Sequence, residues 1–306
     1  MLLWVAALVA GLAIAVFAAR QALDSAVSLA RKLGLSPFLI GMTVMAIGTD
    51  LPEIANSITA SAAGHGDLNV GDSIGSVVTQ ITLVLGILCF IAPVKAERRT
   101  VRVAGLVTVL AVIVGALLLG DDEVSRGDGL VLIAFWAVGT LAVQQGGHMV
   151  GQRQELLFDR SLLIDVRDLI VGLSGVAIGA ILVVEAFTRV AEDLGVPEYA
   201  TSFLVLAIGT SLPELFVDAR ALRRGENALA LGDIIGSSFV DATVSLGIGP
   251  ALFPIAVSPT AMRGSVIAAI VVALAVLLLL TREEHGRKSG IILIGLYAIA
   301  YAVVIV

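Results

Sequence analysis

Charged residues are scarce in this chain of 306 amino acids: Asp, Glu, Lys and Arg make up 14% of it, against about 25% in a typical soluble domain. Hydrophobic residues make up 58%, and the mean hydropathy is +1.03. A soluble globular protein is therefore excluded, and we expect an integral membrane protein with the lipid bilayer as its surroundings. No basic tail is present, so we expect no nucleic-acid partner.

Cysteine and histidine are also rare. Cys89 is the single cysteine and lies in an apolar segment, which excludes an intramolecular disulfide and most cysteine-based metal chemistry. The three histidines, His65, His148 and His285, lie in or near predicted connections, where we expect solvated side chains rather than metal ligands. No nucleophile or catalytic-metal motif is present, so we expect neither an enzyme nor a resident cofactor.

Long apolar segments fill most of the chain. Because Met1–Ala19 has no basic region before its apolar run, we expect a retained first helix rather than a cleaved signal peptide. We predict an all-α membrane protein with ten transmembrane helices. Windows of about 19 residues place these spans at residues 3–19, 36–63, 69–91, 103–119, 129–145, 169–190, 200–222, 229–251, 262–281 and 290–306.

Lys and Arg are distributed unevenly between alternate connections. Sixteen of them fall on one side of the predicted membrane, and only Arg126, Arg189 and Arg263 fall on the other. The positive-inside rule places the sixteen in the cytoplasm, with both termini outside. We expect a multi-pass protein of the plasma membrane that acts as a monomer.

An internal repeat organises the sequence. Residues Ala46–Glu53 are Ala-Ile-Gly-Thr-Asp-Leu-Pro-Glu, and Ala207–Glu214 differ from them only at the fifth position, which is Ser. The same offset of 161 positions carries Gly71–Ser76 onto Gly232–Ser237, which share the pattern Gly-Asp-x-Ile-Gly-Ser. Each half holds five spans, an odd number, so the second half must enter the membrane from the opposite face, as in many secondary transporters.

This repeat divides the chain into three parts. We predict a first five-helix repeat at residues 1–151, a cytoplasmic connection at 152–167 and a second, inverted five-helix repeat at 168–306. The connection is too short to be a regulatory domain.

The Pro-Glu motif predicts a broken helix beside a charge. Pro52 has no backbone N–H and its ring clashes with the carbonyl four residues earlier, so the Gly48 carbonyl loses its helical partner. In lipid, such a freed group is costly unless something binds it. A cation held by carbonyl oxygens, the Thr49 hydroxyl and the Glu53 carboxylate would do so. This all-oxygen set suits Na⁺ or Ca²⁺ rather than zinc or copper.

Two simpler interpretations compete with an ion site. Ser211 and Glu214 have the spacing of a capping box, so the glutamates could merely cap the second part of a kinked helix. Capping does not explain two symmetric carboxylates in the membrane, each of which costs about 2.5–3.5 kcal/mol to insert. Likewise the Gly71/Gly75 and Gly232/Gly236 pairs have small-x-x-x-small spacing, which is equally consistent with helix packing alone.

The paired Gly-Thr-x-Leu-Pro-Glu segments, each followed by Gly-Asp-x-Ile-Gly-Ser, resemble the two alpha-repeats of the cation/calcium exchanger superfamily, most of all its prokaryotic sodium/calcium exchangers. The resemblance implies ion sites between the second, third, seventh and eighth helices, with Glu53 and Glu214 as shared central ligands. It also implies that the first and sixth helices slide past this core to alternate access. The remaining implied ligands are the backbone oxygens of Ala46, Thr49, Ala207 and Thr210 and the side chains of Ser76, Ser211, Ser237 and Asp241.

Two positions depart from the pattern of these relatives. Asp50 stands where they usually have Ser or Thr, and Gln80 stands where Asn or Asp is expected opposite Asp241. We include both Asp50 and Gln80 among the expected ion ligands. The site would then hold four carboxylates, and because burial and like-charge crowding favour the protonated form of a carboxyl group, a proton could take part in transport.

The sequence therefore predicts a secondary antiporter that exchanges Na⁺ for Ca²⁺ by alternating access. One alternative is a proton/cation antiporter, which the extra carboxylate of Asp50 would favour. A cation channel is a second, although a channel usually has polar residues along a continuous path rather than at one depth. An intramembrane hydrolase is a third, because two close carboxylates can act as acid and base.

Overall fold

A computed structural model describes residues 2–146, 161–193 and 208–305. The described residues are mostly helical (86%). Residues 208–210 are also helical and lead into α8. The main helices of the described ranges are α1 (Leu2–Leu33), α2 (Pro37–Thr49), α3 (Leu51–Ala62), α4 (Gly66–Ile91), α5 (Arg98–Leu118), α6 (Arg126–Gly146), α7 (Leu162–Asp193), α8 (Leu212–Arg223), α9 (Asn227–Leu252), α10 (Pro259–Thr281) and α11 (Arg287–Ile305).

Several of these helices can cross a membrane. Within the described ranges, α4, α5, α6, α9 and α10 are each long and apolar enough, and α2 and α3 together make a sixth candidate with a 47° break between them. The residues of the predicted span 36–63 therefore form two helices with a break between them, as the Pro-Glu motif predicted. Of the predicted span at 200–222, residues 200–207 lie outside the described residues.

The helices α1 and α7 are longer than predicted. Each has 32 residues, which at 1.5 Å per residue is about 48 Å, well beyond the roughly 30 Å hydrocarbon thickness of a bilayer. The predicted membrane spans 3–19 and 169–190 cover only part of these helices, because hydropathy detects only the apolar part of a helix. In particular, α7 begins at Leu162, inside the stretch 152–167 that was predicted to be a connection.

Four short strands add β-structure that the all-α prediction did not include. They are β1 (Val94–Lys95), β2 (Glu123–Val124), β3 (Ile255–Ala256) and β4 (Glu284–His285). Antiparallel pairing joins β1 to β4 and β2 to β3. Because β1 precedes α5 and β2 follows it, the two small sheets lie at opposite ends of that helix.

The β4 strand also corrects the interpretation of one histidine. His285 is fully buried rather than solvated, with Nδ1 3.0 Å from Ser289 Oγ and Nε2 3.1 Å from the Leu279 carbonyl oxygen. These contacts satisfy both ring nitrogens, so we interpret His285 as a structural residue of the β1–β4 sheet. His65 is exposed, as predicted, and His148 lies outside the described residues.

The elements of the two halves follow the offset seen in the sequence. Helices α3 and α8 begin at Leu51 and Leu212, and α4 and α9 begin at Gly66 and Asn227. The same shift of 161 positions carries the starts of α5 and α6 onto those of α10 and α11, and carries β1 onto β3 and β2 onto β4. Two equivalent sets of elements therefore build the fold.

Close backbone contact joins α2 to α9. A Cβ atom added at Gly232 would lie 2.2 Å from the Phe38 carbonyl oxygen, and one added at Gly236 would lie 2.5 Å from Met42 Cα. At Gly71, the counterpart of Gly232, an added Cβ would meet nothing within 4 Å among the described residues. The positions equivalent to Phe38 and Met42 are 199 and 203, which lie outside the described residues. The packing interpretation is thus confirmed for Gly232 and Gly236 and stays a prediction for Gly71.

This difference predicts unequal effects of alanine. Gly232→Ala forces a methyl group against backbone, and we expect a loss of about 1–3 kcal/mol or more in the free energy of unfolding. Gly71→Ala is the matched control. Its added methyl group meets no described residue, so it should leave stability unchanged or raise it by up to about 1 kcal/mol through helix propensity. Thermal unfolding of both purified variants in detergent measures the difference. Equal melting temperatures would contradict the close packing of α2 on α9.

Candidate ion-binding site

Two helix breaks place the Pro-Glu motifs. Asp50 separates α2 from α3 with φ −82° and ψ 8°, and Ser211 precedes α8 with φ −84° and ψ 8°. A proline occupies the second position of each following helix, where its missing N–H costs no helical hydrogen bond. Neither Asp50 nor Ser211 caps the following helix through its side chain. The capping interpretation is therefore wrong, and the predicted breaks are confirmed.

Three π-helical segments also shape the site. They lie at Gly41–Met45 in α2, Thr79–Val84 in α4 and Asp241–Ser245 in α9. A π-bulge inside an α-helix is frequently found at a functional site. The segments in α4 and α9 contain Gln80 and Asp241, which occupy equivalent positions in the two halves.

Gln80 lies between two carboxylates. Its Nε2 donates to Asp241 Oδ2 at 3.0 Å and to Asp50 Oδ1 at 3.4 Å. Its Oε1 accepts from the Ser238 hydroxyl at 3.3 Å. The neutral amide thus links a carboxylate of the first half to one of the second half.

The carboxylates of the site are close together and fully buried. Asp50, Glu53 and Asp241 each offer an oxygen within 4.8 Å of the others. Glu214 is also fully buried and lies beside Asp50 and the hydroxyls of Thr49 and Ser237. Among the described residues, no hydrogen bond of good geometry reaches the carboxylate oxygens of Glu53 or Glu214. Buried ionised carboxylates without donors need a counter-charge, and a cation or a proton can supply it.

Hydroxyl pairs join the two halves around these carboxylates. Thr49 Oγ1 lies 3.2 Å from Ser237 Oγ, and the equivalent pair of Thr210 Oγ1 and Ser76 Oγ is also 3.2 Å apart. In each pair, a threonine that adjoins a helix break contacts a serine from the Gly-Asp-x-Ile-Gly-Ser segment of the other half. The arrangement offers hydroxyl oxygens in matched positions on both sides of the carboxylate cluster.

The Ala46 carbonyl already has partners in this structure. It accepts from Thr49 Oγ1 at 3.2 Å and from the Asp50 N–H at 3.0 Å. Of the predicted ligands, Ala207 lies outside the described residues. The others are exposed by 5% or less: Ala46, Thr49, Asp50, Glu53, Ser76, Gln80, Thr210, Ser211, Glu214, Ser237 and Asp241.

The sequence analysis missed three buried carboxylates. Asp72 accepts from Asn56 Nδ2 at 2.6 Å and from Thr210 Oγ1 at 3.4 Å, while Asp233 faces Asp218. Both Asp72 and Asp233 belong to the Gly-Asp-x-Ile-Gly-Ser pattern, whose glycines are equally consistent with helix packing alone. Asp218 follows Glu214 by one helical turn on the same face, and this spacing could have identified it.

Comparison with known proteins places this architecture in a family. The sequence profile described as sodium/calcium exchanger protein matches residues 3–144 and 168–306. This chain belongs to the sodium/calcium exchanger family. Inner membrane protein YrbG of Escherichia coli is 32% identical over 307 residues, which cover 96% of this chain and 94% of that protein. The sodium/calcium exchanger MaX1 of Methanosarcina acetivorans is 26% identical over 92% of each chain.

Solved structures agree with this membership. A structure of the sodium-calcium exchanger NCX_Mj soaked with zero Na⁺ and Ca²⁺ matches with a TM-score of 0.83 at 32% identity, covering 99% of each chain. The same exchanger soaked with 10 mM Na⁺ and zero Ca²⁺ matches with a TM-score of 0.81 at 30% identity, over 98% of each chain. The resemblance to prokaryotic exchangers drawn from the motifs is thus confirmed.

Proposed function

We propose that this member of the family is a secondary antiporter that exchanges Na⁺ for Ca²⁺ across the membrane by alternating access. The observation that carries the proposal is the cluster of Asp50, Glu53 and Asp241, joined by Glu214, at the meeting point of two helix breaks. The carboxylate oxygens and the nearby hydroxyl oxygens of Thr49 and Ser237 are hard ligands, which Na⁺ and Ca²⁺ prefer. The family membership disfavours the proton/cation, channel and hydrolase alternatives.

In this proposal Na⁺ and Ca²⁺ are substrates that compete for one set of ligands. Glu53 and Glu214 hold the centre, because each belongs to a broken helix of a different half. A Ca²⁺ ion and more than one Na⁺ ion supply comparable positive charge to the buried carboxylates, so one can replace the other. The remaining proposed ligands are Asp50, Gln80, Asp241, the side chains of Ser76, Ser211 and Ser237, and the backbone oxygens of Ala46, Thr49, Ala207 and Thr210.

The helices α1 and α7 are the proposed moving part. They pack along each other through small residues, since a Cβ added at Gly172 would lie 2.5 Å from the Ala22 amide nitrogen. Lys32 Nζ and Ser28 Oγ both donate to the buried Asp165 carboxylate at 2.7 Å. These contacts support movement of α1 and α7 together rather than separately.

We also propose ten spans arranged as two inverted repeats, joined by a connection that follows residue 151 and ends before α7 begins at Leu162. The strands support this arrangement. The strand β3 is the counterpart of β1, yet it pairs with β2, at the opposite end of α5 from β1. If the second half is inverted, β3 must lie at the opposite end of the protein from its counterpart β1, which accounts for this pairing. The family profile leaves residues 145–167 unmatched, which agrees with a connection there.

The proposed orientation predicts the labelling of single cysteines in intact cells. Because native Cys89 is buried, it should give little background. An impermeant thiol reagent should label cysteines placed near His65, Asp122 and Arg263 from outside, while those near Arg98 and Arg224 react only after permeabilisation. Labelling near Arg98 or Arg224 in intact cells would refute the plasma-membrane topology with both termini outside.

Flux measurements in sealed vesicles test the function itself. The purified protein is reconstituted with Na⁺ inside, and uptake of radioactive Ca²⁺ is followed after dilution into Na⁺-free buffer. We expect Ca²⁺ to accumulate above its external concentration, and to do so only with an outward Na⁺ gradient. Uptake driven only by a pH gradient would indicate the proton alternative, and dissipative flux without accumulation would indicate a channel.

A further inference from the structure

Asp218 and Asp233 lie outside the proposed ligand set. Asp218 is one turn beyond Glu214 in α8, and Asp233 is one turn before Ser237 in α9. Four helical residues correspond to about 6 Å along the axis. Both carboxylates are therefore displaced in the same direction from the central cluster, toward the α8–α9 connection at Arg224 and Glu226.

These two carboxylates are buried against each other, with no other described side chain as a partner. Both residues have 0% exposure, and none of their four carboxylate oxygens receives a hydrogen bond from the described residues. The charged groups that act on Asp218 are Asp233 and Glu214, and both are negative. The Glu214 carboxylate, itself without a donor, acts on Asp233 as well. Adjacent buried carboxylates cannot both stay ionised without a positive partner.

The equivalent place in the first half differs. The counterpart of Asp218 is Ser57, whose hydroxyl oxygen accepts from the Gly249 N–H at 3.1 Å. The counterpart of Asp233 is Asp72, whose carboxylate accepts from the Asn56 amide at 2.6 Å. Protein donors thus satisfy these groups in the first half but leave their counterparts in the second half unsatisfied.

We propose that Asp218 and Asp233 form a separate Ca²⁺ site between the central carboxylates and the face of the protein at Arg224. Two carboxylates offer up to four hard oxygens, and a divalent ion neutralises both charges, whereas Na⁺ would leave one uncompensated. The site gives Ca²⁺ a binding position on one side of the central cluster only. This inference rests on the proposed exchange function, because it assumes that Ca²⁺ moves through the protein.

The test uses the double variant Asp218→Asn/Asp233→Asn in the complete protein. Equilibrium binding of radioactive Ca²⁺ to the purified variant should show one class of site fewer than wild type. In oriented vesicles, the Ca²⁺ concentration for half-maximal transport should rise by about tenfold or more at the face of Arg224 and stay unchanged at the opposite face. Asp72→Asn is the matched control, and it should keep the wild-type number of Ca²⁺ sites.

The outcomes separate the possibilities. Wild-type Ca²⁺ stoichiometry in the double variant overturns the site, and if that variant also takes up one proton fewer, the pair shares a proton instead. An equal rise in the Ca²⁺ concentration for half-maximal transport at both faces also overturns the site. Such a rise would indicate a change in the electrostatic field at the central cluster. The single variants give the same readouts if the double variant does not fold. If wild type binds no Ca²⁺ at all, the proposed function fails rather than this site alone.

Discussion

Replacing Glu53 or Glu214 by Gln is expected to reduce Ca²⁺ transport to the background of empty vesicles. Both side chains are fully buried, and no donor among the described residues satisfies their oxygens. Each change removes one negative charge from the proposed ligands of the ion. Even at an effective dielectric constant of about 20, an attraction between unit charges 4 Å apart is worth about 4 kcal/mol, which corresponds to roughly a thousandfold in affinity.

The matched control is Glu185→Gln in α7. Its side chain is 52% exposed and pairs with Arg189 one turn away, so transport should stay near wild type. Folding of the Glu53 and Glu214 variants should survive, because an amide costs less to bury than a carboxylate. Near-normal exchange in either variant, with an unchanged melting temperature, would remove these glutamates from the ion path.

Moving a charge from position 50 to position 80 is expected to restore transport. Asp50→Ser alone should weaken the apparent Ca²⁺ affinity by about tenfold, because one carboxylate is lost from the cluster. Gln80→Asp alone adds a carboxylate beside Asp241 and should impair transport by repulsion. Since the Gln80 amide contacts both Asp50 and Asp241, the double variant should transport better than either single variant.

Ca²⁺ flux measured against Ca²⁺ concentration, Na⁺ concentration and pH in the three variants decides this point. Asp50→Ser should also make transport less dependent on pH, because fewer buried carboxyl groups remain to bind protons. If its concentration and pH profiles coincide with those of wild type, Asp50 does not face the ions.

Much of the site could be predicted from sequence because its chemistry is local. A Pro-Glu pair within an apolar span predicts both a break and a buried charge, and the structure has both in α3 and α8. The repeat offset also predicted which residues occupy equivalent positions in the two halves, and the matching contacts of Thr49 and Thr210 agree with it.

The rest depends on contacts between distant segments. Nothing local in the sequence shows that Gly232 packs against the backbone of α2. Asp72 and Asp233 have the same sequence context, but only Asp72 has Asn56 as a donor. Hydropathy also could not give the ends of α1 and α7, because each helix continues past its apolar stretch. The small sheets were missed because strands of two residues carry no pattern.

Obligatory coupling is the central claim, and driving exchange backwards tests it most directly. Wild-type protein is reconstituted in vesicles loaded with Ca²⁺, and radioactive Na⁺ uptake is measured at a clamped membrane potential in Ca²⁺-free buffer. We predict that Na⁺ accumulates above its external concentration while Ca²⁺ leaves, and that neither ion moves when the other is absent. Na⁺ that only equilibrates, or Ca²⁺ that leaves at full rate without Na⁺, would contradict exchange.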